Sequence, residues 1–234
     1  MAAQMKPKVL VTGGSRGIGL AIVERFLVGG FDVLACARGQ GALDALKSRH
    51  PSVDCMVCDL ADADAVERLA ETVAARHGAL DALVNNAGAY LPGQTHDEAE
   101  GALETMLHAN LMGAYRLTRK VLPAMMARRS GTVINVCSTA SIVPYANGGS
   151  YCIAKHALYG FSRTLREEMK PHGVRVIALL PGATLTSSWD GVDLPAERFM
   201  PAEDVAEIAW AAWSLSPRTV VEEIVMRPQL GDLG

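Results

Sequence analysis

Aromatic residues are scarce in this chain: three Trp, five Tyr and four Phe make up 5% of 234 positions. A core with so few large rings must be filled by aliphatic side chains and alanine, which suits helices packed closely on a sheet. Excess charge of either sign is also lacking. The 22 Lys and Arg face 25 Asp and Glu, for a formal net charge of −3. A nucleic-acid binder normally shows a basic face and a high isoelectric point, so no such partner is expected. Long apolar runs are missing too. The strand-like stretch Val174–Leu180 is far short of the ~20 residues that a membrane-spanning helix needs. Met1–Lys8 has two lysines and no apolar core after them, unlike a secretory leader. The expectations are a cytoplasmic location and no membrane partner.

Cysteine is present but does not form a ligand set. Cys55 and Cys58 make a C-x-x-C, a spacing used in zinc and redox sites. A structural zinc wants four ligands, and here no second Cys/His pair exists and the six His are scattered. The expectation is therefore no metal, with Cys36, Cys55, Cys58, Cys137 and Cys152 as reduced thiols in a reducing compartment.

Short β-rich runs alternate with longer helical stretches. Lys8–Thr12, Asp32–Ala37, Val53–Cys58, Leu80–Asn85, Thr132–Ser138, Val174–Leu180 and Glu222–Met226 read as strands. Several are continuous Val/Ile/Leu runs, as expected for strands covered on both faces. Helical patterns lie near 17–29, 39–49, 62–76, 99–127, 151–170 and 203–214. Gly29-Gly30 closes the first, where a left-handed cap residue is needed, and Asp62 is an N-cap of the third. Regular alternation predicts a parallel sheet with helices on both faces. The fold class is a doubly wound Rossmann-type sheet, order 3-2-1-4-5-6 with a seventh strand at the edge. Residues 1–234 are read as one domain. Residues 186–201, with Gly191, Pro195 and Pro201, are read as a mobile segment at a strand's C-terminal end.

Thr12-Gly13-Gly14-Ser15-Arg16-Gly17-Ile18-Gly19 follows the first strand and opens the first helix. Glycines allow close backbone approach, and a helix N-terminus offers unpaired N–H groups and a positive dipole end. Glycines also make ordinary tight turns, but in this βαβ position the pattern predicts a dinucleotide pyrophosphate site. NAD sites usually carry an acidic residue at the end of the second strand. Here that place reads Cys36-Ala37-Arg38. Arg38, with Arg16 from the turn, suits a 2′-phosphate, so NADP(H) is expected over NAD(H).

Tyr151-Cys152-Ile153-Ala154-Lys155 puts a tyrosine and a lysine on one helical face. The cation favours tyrosinate by proximity, which makes a phenol usable in acid–base chemistry. By itself the spacing also fits a plain surface pair. Ser138, at the end of a strand, can hydrogen-bond a substrate oxygen. Asn110 sits inside a long helix, where asparagine is a mediocre former, and an inward Asn there invites a polar task.

With these motifs in order, the sequence resembles the short-chain dehydrogenase/reductase family, and most closely its 3-oxoacyl-carrier-protein reductase-like branch. The resemblance rests on TGGSRGIG at 12–19, Asp59-Leu60, NNAG at 85–88, Asn110, Ser138, YCIAK at 151–155 and Pro181-Gly182. It implies that Tyr151 exchanges the proton with the substrate oxygen and that Ser138 polarises the carbonyl. Lys155 would lower the Tyr151 pKa and hold the nicotinamide ribose, and Asn110 would hold a relay water. Asp59 and Leu60 would border the adenine, and Asn86, Ala87 and Gly88 would pass under the cofactor. Thr184 and Thr186, after Pro181 and Gly182, would contact the carboxamide. The family's Gly-Gly-containing segment after the last strand is replaced by Glu222–Gln229, and Thr186–Pro201 is short. The implied function is NADP(H)-dependent reduction of a carbonyl to a secondary alcohol, or the reverse, by a homodimer or homotetramer acting on a small molecule. The alternatives are an NAD(P)+-dependent alcohol or 3-hydroxy acid dehydrogenase and a non-catalytic nucleotide-binding regulator. Trp189, Tyr145, Leu91, Val143 and Leu185 are candidates for an apolar substrate pocket.

Overall fold

The structure, a computed structural model, describes residues 6–233. Most of the N-terminal stretch read above for its lack of a leader lies outside the described residues. Among those described, seven strands form one sheet, and every pairing is parallel. They are β1 (Lys8–Thr12), β2 (Asp32–Ala37), β3 (Asp54–Val57), β4 (Ala82–Asn85), β5 (Gly131–Val136), β6 (Val174–Pro181) and β7 (Glu223–Met226). The order is β3-β2-β1-β4-β5-β6-β7. Strand ends shift from expectation by one or two residues at β3, β4, β5, β6 and β7.

The helices are α1 (Gly17–Val28), α2 (Gln40–Arg49), α3 (Ala63–His77), α4 (Ala102–Leu107), α5 (Gly113–Arg128), α6 (Gly149–Met169) and α7 (Ala202–Ser214). Alternate residues of β1 serve opposite faces. Val9 and Val11 join Ile22 and Phe26 of α1 and Val205 and Ala209 of α7. Leu10 joins Leu69 of α3, Leu117 of α5 and Leu165 of α6. The same alternation separates the C-x-x-C pair: Cys55 packs on the first of these cores and Cys58 on the second. Both thiols are free, and with Cys58 just past the end of β3 they pack on opposite faces of the sheet.

The scarce aromatics are concentrated rather than dispersed. Phe26, Phe31, Trp210 and Trp213 form one edge-to-face and tilted cluster between α1 and α7. The Gly29-Gly30 pair closes α1 as expected, and Gly29 packs against this cluster. A Cβ there would stand 2.2 Å from the Trp210 ring, and Gly30 takes the left-handed conformation at φ +85°. Asp62 caps α3 as expected, with its carboxylate accepting from the Asp64 amide at 2.9 Å.

The continuous helix expected over 99–127 is interrupted. Between α4 and α5, residues His108–Met112 form a π-helical turn. The cause is Asn110, whose Nδ2 donates to the carbonyl of Met106 at 3.0 Å and to that of Ala89 at 2.9 Å. A side chain that competes for the i−4 carbonyl widens the turn. Residues 186–201 contain two short 3-10 turns, Ser187–Trp189 and Ala196–Arg198. The base of this excursion is tied by Leu185 N–H to Met200 O (2.8 Å) and Met200 N–H to Ala183 O (2.9 Å).

Candidate active site

All parallel strands point their C-terminal ends to one edge of the sheet, and the order reverses between β1 and β4. Ligands in such sheets bind at that switch point. There a cavity of about 980 Å³ is lined by every catalytic and cofactor-binding residue named from the sequence. Gly13, Ser15, Arg16, Gly17, Ile18 and Gly19 come from the turn before and into α1. Arg38 follows β2, and Asp59 and Leu60 follow β3. Asn86, Ala87 and Gly88 follow β4, and Ser138 follows β5. Asn110, Tyr151 and Lys155 come from the π turn and α6. Pro181, Gly182, Thr184 and Thr186 come from the end of β6 and the loop beyond.

The glycine turn is a cradle that side chains would fill. Gly13 is left-handed at φ +64°, and a Cβ on Gly19 would stand 2.1 Å from the Gly13 carbonyl oxygen. The first turn of α1 has no acidic residue and no side-chain cap, so its amides remain for an anion. Thr12, quoted with the motif but given no task, ties the turn to β4. Its hydroxyl accepts from the amides of Asn86 and Ala87, both at 3.0 Å, and donates to Val84 O at 3.3 Å. Arg16 and Arg38 lie at this end of the cavity, and among the described residues neither guanidinium is paired with a carboxylate. These features fit a phosphorylated dinucleotide.

At the other end lies α6. Its buried stripe runs Cys152, Lys155, Leu158, Ser162, Leu165 and Met169. A lysine in that stripe is anomalous, since buried cations are costly unless bonded. Lys155 is only 6% exposed and donates to Val136 O at 3.1 Å. Its ammonium is 5.8 Å from the centre of the Tyr151 ring. The Ser138 hydroxyl oxygen accepts from Ala140 N–H at 3.1 Å, while the Ser141 hydroxyl accepts from Ser138 N–H at 3.2 Å. The Ser138 proton is therefore the part of that group left to point into the cavity. Asn110 is 1% exposed, as its inward reading expected. Its side chain clasps Ala89 by both the carbonyl and the amide, and a Cβ on Gly88 would meet its oxygen at 2.6 Å.

Two further contributors were not legible in the sequence. Tyr90 packs edge-on against Tyr151, centres 5.0 Å apart at 83°. Glu98, far along the chain, caps α6: its Oε1 accepts from Ser150 N–H at 2.8 Å and its Oε2 from the Ser150 hydroxyl. The hydroxyl bond first, then the amide bond, holds the Glu98 carboxyl below its ordinary 4.5. A depressed carboxyl contributes stability above its unfolded pKa and loses it as pH falls. Glu98→Gln is thus expected to be less stable than wild type to urea at neutral pH, with the gap narrowing as pH drops below 4.5. Parallel urea titrations across that range check this, and a gap independent of pH would contradict it. Of the apolar pocket candidates, Val143, Tyr145 and Trp189 line the cavity. Leu91 and Leu185 do not; they are about half exposed, because their loops turn those side chains outward. Burial, then nearby Tyr90 and Tyr151, pushes the Tyr145 phenol up. Cys58 and Cys137 are pushed up to about 11, chiefly by burial, so neither is a reactive thiolate.

Comparison with known proteins agrees with this geometry. Residues 7–194 match the family model of the short chain dehydrogenases, and the chain belongs to that family of oxidoreductases. It is 31% identical to a sepiapterin reductase of Chlorobaculum tepidum, over 98% of this chain and 99% of that one. It is 33% identical to an NADP-dependent 3-hydroxy acid dehydrogenase of Escherichia coli, over 94% of both chains. Among solved structures it is similar to an actinorhodin polyketide ketoreductase with NADPH, at TM-score 0.89 and 29% identity over the whole of both chains. No helix among the described residues is long and apolar enough to cross a membrane.

Proposed function

We propose that this chain is an NADP(H)-dependent carbonyl reductase, interconverting a ketone and a secondary alcohol. The observation that carries the reading is one cavity edged at one end by the glycine turn and two unpaired arginines and at the other by Ser138, Tyr151 and a buried Lys155. Residues 1–234 act as one cofactor-binding domain. The turn 13–19 receives the pyrophosphate on its amides. Arg16 and Arg38 hold the 2′-phosphate, Asp59 and Leu60 border the adenine, and Asn86–Gly88 form the floor. Pro181, Gly182, Thr184 and Thr186 orient the carboxamide. When bound, the reduced nicotinamide supplies the hydride that reaches the carbonyl carbon.

The protein's part is the proton and the developing charge. Ser138 donates a hydrogen bond to the carbonyl oxygen, and Tyr151 gives that oxygen its proton as negative charge develops there. Lys155 stabilises the resulting tyrosinate. One of its three N–H groups is spent on Val136 O, which leaves two for ribose hydroxyls and a relay water. The Asn110 amide is spent on Ala89 and Met106, so its part is to fix the wall along which that water stands. Oxidation runs the same steps backward. Residues 186–201, tied only at their base, close over the substrate and open for release.

The names of the relatives also support 3-hydroxy acid oxidation as a second reading. A non-catalytic regulator needs none of Ser138, Tyr151 or Lys155. Consumption of NADPH across ketones, 3-oxoacyl thioesters, quinones and sugars separates the readings. Turnover with a ketone is expected, and binding of NADPH without any turnover would favour the regulator.

Assembly follows from exposed apolar side chains on adjacent helices. Leu103 of α4, Tyr115 of α5 and Ile153 of α6 are each more than a third exposed, and Tyr115 packs on Phe161 of α6. Such a shared face suits an isologous interface. Sedimentation at micromolar concentration is expected to give two or four times the chain mass, and a purely monomeric species would refute this.

A further inference from the structure

The cavity's two ends differ in charge. Arg38 follows β2 and Ser138 follows β5, three strand spacings apart, or roughly 14 Å at ~4.8 Å each. The guanidiniums of the lining belong to the first end. Around the second end stand Tyr90, Val143, Tyr145, Ala146, Asn147 and Trp189. Three of these are aromatic, and with Tyr151 they make four of the chain's twelve rings in a single cavity. Among the described lining residues there, the one cation is Lys155, already bonded to Val136 O.

The loops that carry this wall add negative charge. Residues 89–101 contribute Asp97, Glu98 and Glu100; residues 183–201 contribute Asp190, Asp193 and Glu197 against one Arg198; residues 139–150 contribute no charged side chain. Among the described residues, Glu98 alone of these carboxylates is engaged, by Ser150, and it keeps its charge. Charge of one sign on the loops around a site enriches or depletes ligands by their own sign. A carboxylate, phosphate or acyl-carrier thioester entering here meets repulsion outside, and inside it finds no free partner for its charge.

From this we infer that the physiological substrate class is an uncharged ketone bearing an aromatic or heteroaromatic ring, and that anionic 3-oxo acids and carrier-bound thioesters are selected against. The inference rests on the carbonyl-reductase reading and narrows it. Tyr90, Tyr145 and Trp189, the last packed on Phe199 at 5.0 Å, are the lining rings that would receive the substrate ring. Offset and edge-to-face packing of rings accounts for the preference over a flexible chain.

The test uses the purified full-length chain with saturating NADPH and four ketones: acetophenone, its 4-carboxylate, its 4-trimethylammonium analogue and 2-octanone. At low salt, kcat/KM for acetophenone is expected to exceed that for the carboxylate by about tenfold or more, with the cationic analogue not penalised. The gap should narrow with added salt, since such steering is screened beyond a Debye length of ~10 Å at 0.1 M. The double variant Asp97→Lys/Glu100→Lys, at two exposed positions outside the cavity lining, should raise kcat/KM for the carboxylate several-fold and leave acetophenone unchanged. Acetophenone should also be preferred over 2-octanone. If the carboxylate is reduced as well as acetophenone at low salt, or 2-octanone is preferred, this inference fails and the reductase reading stands. If no ketone is reduced by a folded enzyme that binds NADPH, the reductase reading itself fails, and the inference with it.

Discussion

Tyr151→Phe is expected to lower the turnover number by ~10²–10⁴, the range that a positioned general acid supplies, or about 3–5 kcal/mol at 1.36 kcal/mol per tenfold. The substitution keeps the ring and its edge contact with Tyr90 and removes only the ionisable oxygen. NADPH affinity and thermal stability should therefore stay near wild type. Lys155→Met is expected to differ in kind. The new side chain still fills the buried stripe of α6, but the cation is lost, so turnover and cofactor affinity should fall together. Steady-state kinetics and NADPH titration on the three proteins decide this. Near-normal turnover by a folded Tyr151→Phe enzyme would remove Tyr151 as the acid.

Arg38→Asp is expected to give the second largest effect, on the choice between NADPH and NADH. A hydrogen bond to a charged group is worth about 1.5–3 kcal/mol, so losing the Arg38 contact should weaken NADPH binding roughly 10- to 100-fold at 1.36 kcal/mol per tenfold. The introduced carboxylate adds repulsion toward the 2′-phosphate and offers a partner to a free 2′-hydroxyl. NADH affinity should accordingly hold or improve. Arg16 acts on the same phosphate, so Arg16→Ala should weaken NADPH in the same direction and spare NADH. Dissociation constants from cofactor fluorescence measure both. Equal wild-type affinities for NADPH and NADH would contradict the assignment.

The parts of this molecule visible in the sequence are those set by local chemistry. Uninterrupted apolar strands marked a two-sided sheet, and their alternation with helices gave its order. Glycines that must pack backbone against backbone, such as Gly19 on Gly13, marked the turn. Lys155 was found through its spacing from Tyr151. Its place on a buried stripe was an equally available signal, since a lysine in phase with Cys152, Leu158 and Ser162 needs a reason.

The rest depended on contacts between distant segments. The π turn at 108–112 exists because Asn110 reaches Ala89, 21 positions earlier, and helix periodicity carries no trace of that. The cap on α6 comes from Glu98, 52 positions from Ser150. No local rule pairs these two, although the uncapped Gly148–Gly149 start was a hint that an acceptor had to come from elsewhere. Hydrophobicity alone did not separate Leu91 and Leu185 from Val143, Tyr145 and Trp189 as pocket candidates, because it does not say which way a loop side chain points. The Gly29-Gly30 pair marked the end of α1, but the need for glycine at the first position comes from the Trp210 ring on α7.

The central claim is hydride transfer to a carbonyl carbon with the protein supplying the proton. The most direct measurement is a reaction of the purified chain with NADPH deuterated at C4 of the nicotinamide, in ordinary water, with acetophenone as the ketone and the product analysed by mass spectrometry and NMR. The account predicts 1-phenylethanol with one deuterium on the carbinol carbon, formed from only one of the two C4 diastereomers of the cofactor, and formed far more slowly by Tyr151→Phe. Alcohol without deuterium from either diastereomer, or no alcohol from any ketone despite bound NADPH, would contradict it.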